Sequence, residues 1–388
     1  MMFWKNIKKI FWAELKKIFT DEGSILIMVT GAVLYSVVYG FVYYNQVVRD
    51  VPVGIIDNDN SRISRQFVRD LDATEQVSVI ERFNSMEKAV DEFSKDKIRA
   101  FVVIPKDFEK DILSGKGADV VLEADSTYMI IYRQVYSSVM GVASTLSAKS
   151  AIVRSTAKTG NLNQAEAIQL PFEFVQMPLF NPSSGYENYV YPTILILILQ
   201  QTMLVGVGLL NGRRREKEEK FCEFTSDETQ IVLGRAFAYV GLYCVYASAY
   251  FLLYPFLFGY GAYINLPLMF SVMLLFLFPT AFLAQAIGIF FNNKEDSLLA
   301  LVMSSITFVF LAGVVWRKED IPFLLRVLSD FVPSTRGVDA LVRINQMGAN
   351  LSQTLESVLW LIGLTVLFFI LARMTVKKLV REKENLPE

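Results

Sequence analysis

The side chains best suited to chemistry are sparse in this sequence, and their spacing argues against a catalytic centre. The chain has no histidine. That removes the imidazole general base, the histidine-dependent triad and histidine metal ligation in one step. Asp57 and Asp59 form a carboxylate pair, but they bracket an Asn58-Asp59-Asn60 segment, where Asx side chains serve turn backbone. Leu113-Ser114-Gly115-Lys116-Gly117 resembles a nucleotide-binding signature loop. No G-x-x-x-x-G-K-[ST] accompanies it, and a Gly-Lys-Gly turn between a helix and a strand accounts for it. Cys222 and Cys244 lie in different segments and give no disulfide framework. No catalytic, cofactor-binding or metal residue is expected.

The remaining polar groups of interest sit in apolar surroundings. Gln200, Gln201, Asn211 and Gln285 lie within long uncharged stretches, where each either lines a path or hydrogen-bonds a neighbouring helix. Those stretches dominate the chain. No charge occurs between Arg235 and Lys294, and Ile25–Tyr44, Asn188–Gly212, Ser297–Trp316 and Ser357–Ala372 are also charge-free. A bilayer core needs about 20 apolar residues per helix, and a charge at its centre costs roughly 2.5–3.5 kcal/mol. Residues 259–267, with Gly259, Gly261 and Pro267, break the longest stretch in two. Six spans result, near 25–44, 190–211, 236–258, 268–291, 298–316 and 355–372. The last is short, and it borrows Leu351–Leu355 or lets Arg373 snorkel.

Lys and Arg set the orientation. Lys5, Lys8, Lys9, Lys16 and Lys17 precede the first span. Arg213, Arg214, Arg215, Lys217 and Lys220 follow the second, and Arg373, Lys377, Lys378, Arg381 and Lys383 follow the last. Six spans place all three clusters, and both termini, on the cytoplasmic side. Residues 317–355 then lie outside despite Arg317, Lys318, Arg326, Arg336 and Arg343; Glu319, Asp320, Asp330 and Asp339 offset them. The first span is too long for a signal h-region and no small-x-small site follows, so it reads as an uncleaved anchor. The net charge of −1 favours no nucleic acid or other polyanion. Met2–Thr20 is a basic amphipathic helix, with Trp4, Ile7, Phe11, Leu15 and Ile18 at helical spacing, suited to the membrane interface.

Residues 45–188 are long enough for a separate domain. Val51–Asp57 reads as a buried strand, Ser61 caps a helix to Leu71, and Val77–Arg82 is a second strand. A helix over Ser85–Ser94, strand Ala100–Ile104, short helix Asp107–Leu113 and strand Val120–Ala124 complete an α/β alternation. Tyr128–Lys158 is a long helix, and Pro171, Pro178 and Pro182 mark an extended return. The fold class is therefore an α-helical polytopic membrane protein with six transmembrane helices and an inserted α/β extracytoplasmic domain. Its parts are an interfacial helix over 1–24, span one over 25–44, the outer domain over 45–188, spans two to six over 189–372, and a basic tail over 373–388.

The loop 213–235 combines Arg-Arg-Arg-Glu-Lys-Glu-Glu-Lys with Phe221, Cys222, Phe224, Ile231, Val232 and Leu233. Apolar groups exposed beside charge suggest a protein contact. In this order of elements the chain resembles the ABC-2 family of exporter permeases. VPVGIIDNDNSRISRQ over 51–66 is similar to the start of that family's outer domain. Arg215–Arg235 looks like its coupling loop, with Lys220-Phe221 standing where the family often has Gly-Thr. Ile321–Gly337, within 317–355, looks like its re-entrant stretch. The resemblance implies a membrane subunit of an ATP-driven exporter that contains no ATP site itself. It implies pairing with an identical or similar permease, docking of separate cytoplasmic ATPases, and in some cases a periplasmic adaptor. On this basis Glu216, Glu218, Glu219, Phe221 and Phe224 are candidate ATPase-coupling residues, Gly206 and Gly208 suit a dimer interface, and the compartment is a cell membrane, the inner membrane in a bacterium. A membrane-anchored receptor or assembly factor acting through the outer domain is the alternative. An ion-coupled carrier fits less well, because the spans hold no ionisable residue.

The basic clusters make a direct prediction. In a background free of Cys222 and Cys244, Asn60→Cys and Lys110→Cys should react with a membrane-impermeant thiol label applied to intact cells. Glu218→Cys and Glu384→Cys should react only after the membrane is opened. The reverse pattern would invert the topology.

Overall fold

The computed structural model describes residues 2–42, 48–160, 187–218, 222–258, 265–313, 316 and 320–384. The chain divides into two compact units, Val47–Met177 and the combination of Met1–Gln46 with Pro178–Glu388.

In the first of these, β1 (Val51–Asp57), β2 (Val77–Arg82), β3 (Ala100–Ile104) and β4 (Val121–Ala124) form one sheet in the order β2-β1-β3-β4. β1 pairs in parallel with both β2 and β3, while β4 runs antiparallel to β3. The parallel pairs are joined through α3 (Arg62–Asp72) and α4 (Met86–Ser94), as crossover connections require. β1 is an interior strand and is covered on both faces. Val51, Val53 and Ile55 join Phe67, Leu71, Phe108 and Val135 in one core, while Ile56 joins Phe83, Ala89 and Phe101 in the other. α5 (Phe108–Ser114) and the long α6 (Met129–Thr159) close the larger core.

Turn chemistry claims Asp57, whereas Asp59 serves the start of a distant helix. Asp57 accepts from the amides of Asp59 and Asn60 through Oδ1 and from the Ser64 hydroxyl through Oδ2. Asp59 accepts from the amide of Glu109 at 3.1 Å, in the first turn of α5. Ser61 caps α3 through the Ser64 amide at 3.1 Å. Ser85 occupies the N-cap position of α4 without a side-chain bond to a helix amide. Residues 161–186, which include the expected return through Pro171, Pro178 and Pro182, lie outside the described residues.

The helical unit opens with α1 (Met2–Ile18) and α2 (Glu22–Val42), the latter containing a π-helical stretch over Ile25–Gly31. α7 (Glu187–Glu216), α8 (Glu228–Leu257), α9 (Leu266–Ile287) and α10 (Lys294–Leu311) follow. α11 (Phe323–Asp330), α12 (Pro333–Met347) and α13 (Leu351–Glu384) complete it. Among the described residues, five helices are long and apolar enough to cross a membrane: α2, α7, α8, α9 and α13. α10, where the span near 298–316 was expected, is 18 residues long and opens on Lys294, Glu295 and Asp296. α13 is a 34-residue helix that starts at Leu351, so the last span does take in Leu351–Leu355, and its Arg373 pairs with Glu228 at 3.2 Å. The break at 259–264 lies outside the described residues; Asn265 caps α9 through the Leu268 amide at 3.4 Å.

α7 is the axis of this unit. In its most apolar window 83% is buried, against 28% for α2 and 33% for α13. Gly206 and Gly208 set its helix contacts within the chain, which corrects their assignment to a dimer interface. A Cβ at Gly206 would stand 2.0 Å from Met28 Cγ, and one at Gly208 would stand 2.7 Å from Leu301 Cδ1. Small residues let backbones approach where two apolar helices gain nothing from leaving water. Gly206→Val should therefore push α2 away from α7. A loss of roughly 1–3 kcal/mol is expected, as in overpacked cores, read as a lower unfolding temperature in detergent. An unchanged melt would show that α2 does not seat against Gly206.

Candidate functional site

Of the stripe Trp4, Ile7, Phe11, Leu15 and Ile18, α1 buries only Ile7 and Ile18 against its neighbours. Trp4 is exposed and Phe11 and Leu15 are only partly covered, while Ile7, Ile10, Glu14 and Ile18 form the buried line. These positions fall at i, i+3, i+7 and i+11, so they share one helical face. They lie against the first half of α8, where a Cβ at Gly234 would come within 2.7 Å of Ile10.

Glu14 is 3% exposed, and it is met there by Arg214 of α7, at 4%, and Arg235 of α8, at 2%. Arg214 Nη2 bonds Glu14 Oε2, the Tyr239 hydroxyl donates to Glu14 Oε1, and Arg235 Nε stands 3.5 Å from Oε2. Arg214 Nη1 also donates to Asn211 Oδ1 at 3.0 Å. Burial alone would raise the Glu14 pKa. The two guanidiniums and the bonds from Tyr239 and Arg214 outweigh it and hold the carboxyl at about 2. Beside this cluster Arg213 pairs with Asp21, whose other oxygen caps the short turn into α2 through the Ser24 amide at 2.8 Å.

The same end of the unit gathers further polar contacts. Asn6 donates to Gln230 at 2.9 Å, and Lys9 lies 5.9 Å from the Phe224 ring. Arg215 donates to Asn292 at 2.7 Å. Glu216, a candidate coupling residue, accepts from the Lys294 amide at 2.8 Å, so its carboxylate caps the start of α10. A Cβ at Gly212 would stand 2.5 Å from the Asn293 carbonyl oxygen, which makes that close approach possible only with glycine. Glu218 is exposed at a left-handed φ of 50°, and Phe224 is 39% exposed. Glu219 and Phe221 lie outside the described residues. Ile231 and Val232, read from sequence as exposed loop residues, are fully buried within α8. Arg213–Glu216 and Glu228–Arg235 are likewise helix, so the segment between α7 and α8 is only 217–227.

The four candidate path residues divide between helix contacts. Gln200 Oε1 accepts from the Ser334 amide at 2.7 Å, in the first turn of α12, so a mid-helix glutamine of α7 caps a second helix end. α11 and α12 occupy the segment read as re-entrant, and α12 packs against α7, α9 and α13. Arg336 there is buried and bonds Asp330 at 2.9 Å and Glu356 at 2.8 Å, beneath the ring of Trp360. Gln285 donates to the carbonyls of Val232 and Ala281 at 3.3 and 3.4 Å. Asn211 belongs to the Arg214 cluster, and Gln201 is largely covered.

Several helices of membrane-crossing length, bound at one end by buried ion pairs and carrying a separate α/β unit in the chain, define a multi-pass helical membrane protein. The chain belongs to the ABC-2 transporter family: the family model described as "ABC-2 family transporter protein" matches residues 23–373. Members are membrane components of ABC transporter systems, which work with ATPase partners. No curated protein matches the chain.

Glu14 gives this cluster a testable signature. Its folded pKa lies below the ordinary value of 4.5, so its contribution is present above about pH 4.5 and fades as pH falls toward 2. Glu14→Gln should cost roughly 3 kcal/mol at pH 7, because two buried guanidiniums lose their counter-charge. The gap between wild-type and variant unfolding temperatures should then narrow in acid below pH 4.5. A gap constant from pH 7 to pH 3 would assign the loss to shape and not to charge.

Proposed function

We propose that this chain is the permease subunit of an ATP-driven exporter. It supplies six spans, α10 being the fifth in order, with both termini cytoplasmic and residues 45–188 outside. It pairs with an identical or similar permease and takes its energy from separate cytoplasmic ATPases. The observation that supports this best is the joined end of the helical unit. There α1, the end of α7, the start of α8, the start of α10 and the tail of α13 are cross-linked by polar contacts. A push on any one of these ends is delivered to several spans at once, which is what coupling to an external motor demands.

The segment 217–227 is the natural docking point, with Glu218 and Phe224 exposed and Glu219 and Phe221 beside them in sequence. Glu216 is assigned instead to holding α10. Replacing Glu218 and Glu219 together by Lys should leave membrane insertion normal, since added Lys strengthens the inside-positive signal. Purification from native membrane should then recover roughly tenfold less ATPase partner, because like charges now meet at the interface. The permease alone should hydrolyse no ATP above background. A double variant that retains its partner and its transport would remove the coupling role from these glutamates. Failure of any ATPase to co-purify with the wild type would favour the receptor alternative.

A further inference from the structure

Next to the Glu14 cluster, a cleft of about 160 Å3 opens between the end of α1 and the end of α7. Lys17, Arg213, Arg214 and Lys217 line it together with Thr20, and Asp21 is its single carboxylate. Asp21 is engaged by Arg213, and Glu14 behind the cleft is engaged by Arg214. These acids leave an excess of positive charge at the opening. Arg214 is 4% exposed and its Nη atoms bond Asn211 and Glu14, so it backs the cleft as a fixed positive charge.

The surroundings specify what kind of anion suits it. Phe19, beside Thr20, is 49% exposed, and Trp12, on the same helix, is 58% exposed. Large apolar groups on the open side of a basic amphipathic helix belong at a lipid boundary. Basic clefts between helices at that level are the recognised shape of an anionic headgroup site.

We propose that this cleft binds the phosphate of an anionic phospholipid, held by Lys17, Arg213, Arg214 and Lys217, with the acyl chains on the side of Phe19. The bound phosphate would tie α1 to α7 from the lipid side, as Glu14 does from within. This assignment stands independently of which way the protein transports.

The test uses the full-length chain purified in neutral detergent and stripped of native lipid. Unfolding temperature is followed while phosphatidylglycerol, phosphatidylcholine or inorganic phosphate is added. Saturable stabilisation by phosphatidylglycerol, absent with phosphatidylcholine, is expected. Lys17→Gln combined with Lys217→Gln should weaken the apparent affinity for phosphatidylglycerol roughly thirtyfold, and Lys217→Gln alone roughly fivefold. Lys217 is exposed, so the single variant should melt as wild type without lipid and remains informative if the double variant is unstable. Equal stabilisation by phosphatidylcholine, or unchanged affinity in the single variant, would overturn the proposal. Equal protection by inorganic phosphate at the same concentration would overturn the lipid assignment in favour of a soluble anion. Loss of ATPase co-purification with lipid affinity intact would make the cleft a protein contact and likewise overturn it.

Discussion

The structure of the helical unit depends on one carboxylate. Glu14 is buried, and a buried charge is tolerated only with close and complete compensation. Its partners come from α7 and α8, so a single side chain fixes three helices relative to one another. Apolar contacts between membrane helices discriminate weakly among rotations and slides, because lipid tails satisfy the same surfaces. The ion cluster discriminates strongly, since a shift of a few ångströms would strand two guanidiniums.

The other polar contacts follow the same logic with less at stake. Glu216 and Gln200 each end a helix that another helix must accept, α10 in one case and α12 in the other. Helix termini leave backbone groups unpaired, and in hydrocarbon no water can serve them. A side chain placed to receive such an amide therefore fixes where the terminus sits. Arg336, paired with Asp330 and Glu356 beneath Trp360, secures the turn between α11 and α12 and the start of α13 by comparable means. Gly206, Gly208, Gly212 and Gly234 supply the complementary condition, allowing α2, α10 and α1 to come close enough for those contacts to form.

Local pattern made the α/β unit legible. Val51–Asp57, Val77–Arg82 and Ala100–Ile104 are strands over the residues their apolar runs mark, because short buried strands bounded by turn residues have a strong local signature. The helices of the membrane unit were visible through the absence of charge. Their ends were not, since α7, α8 and α13 continue as helix through charged residues that a hydropathy boundary cuts away. Glu14 was missed because a lone acid on a lysine-rich helix reads as part of a solvated face. The signal lay in its spacing, four residues from both Ile10 and Ile18 on the face that is buried. Arg214 and Arg235 were hidden by their neighbours: arginines flanking a span look like topology signals whether or not they are paired. Glu216 was legible as a charged loop residue and not as a cap, because its acceptor role depends on Lys294, remote in sequence.

The Glu14 cluster also has an order in time. Glu14 precedes Arg214 by 200 positions and Tyr239 by 225, with the whole α/β unit between them. At about 5–20 residues per second, a ribosome needs roughly 10–40 s to supply the partners. Throughout that interval the acid has no counter-charge and cannot enter an apolar interior. The first helix must therefore wait at the membrane surface, held by its lysines and aromatic residues, while the α/β unit is synthesised. Only when α7 and α8 are in place can it turn its Ile7-Ile10-Glu14-Ile18 face inward. α1 is thus made before α7 and α8 but fixed only with them, and its docking reports that the helices it clamps have arrived.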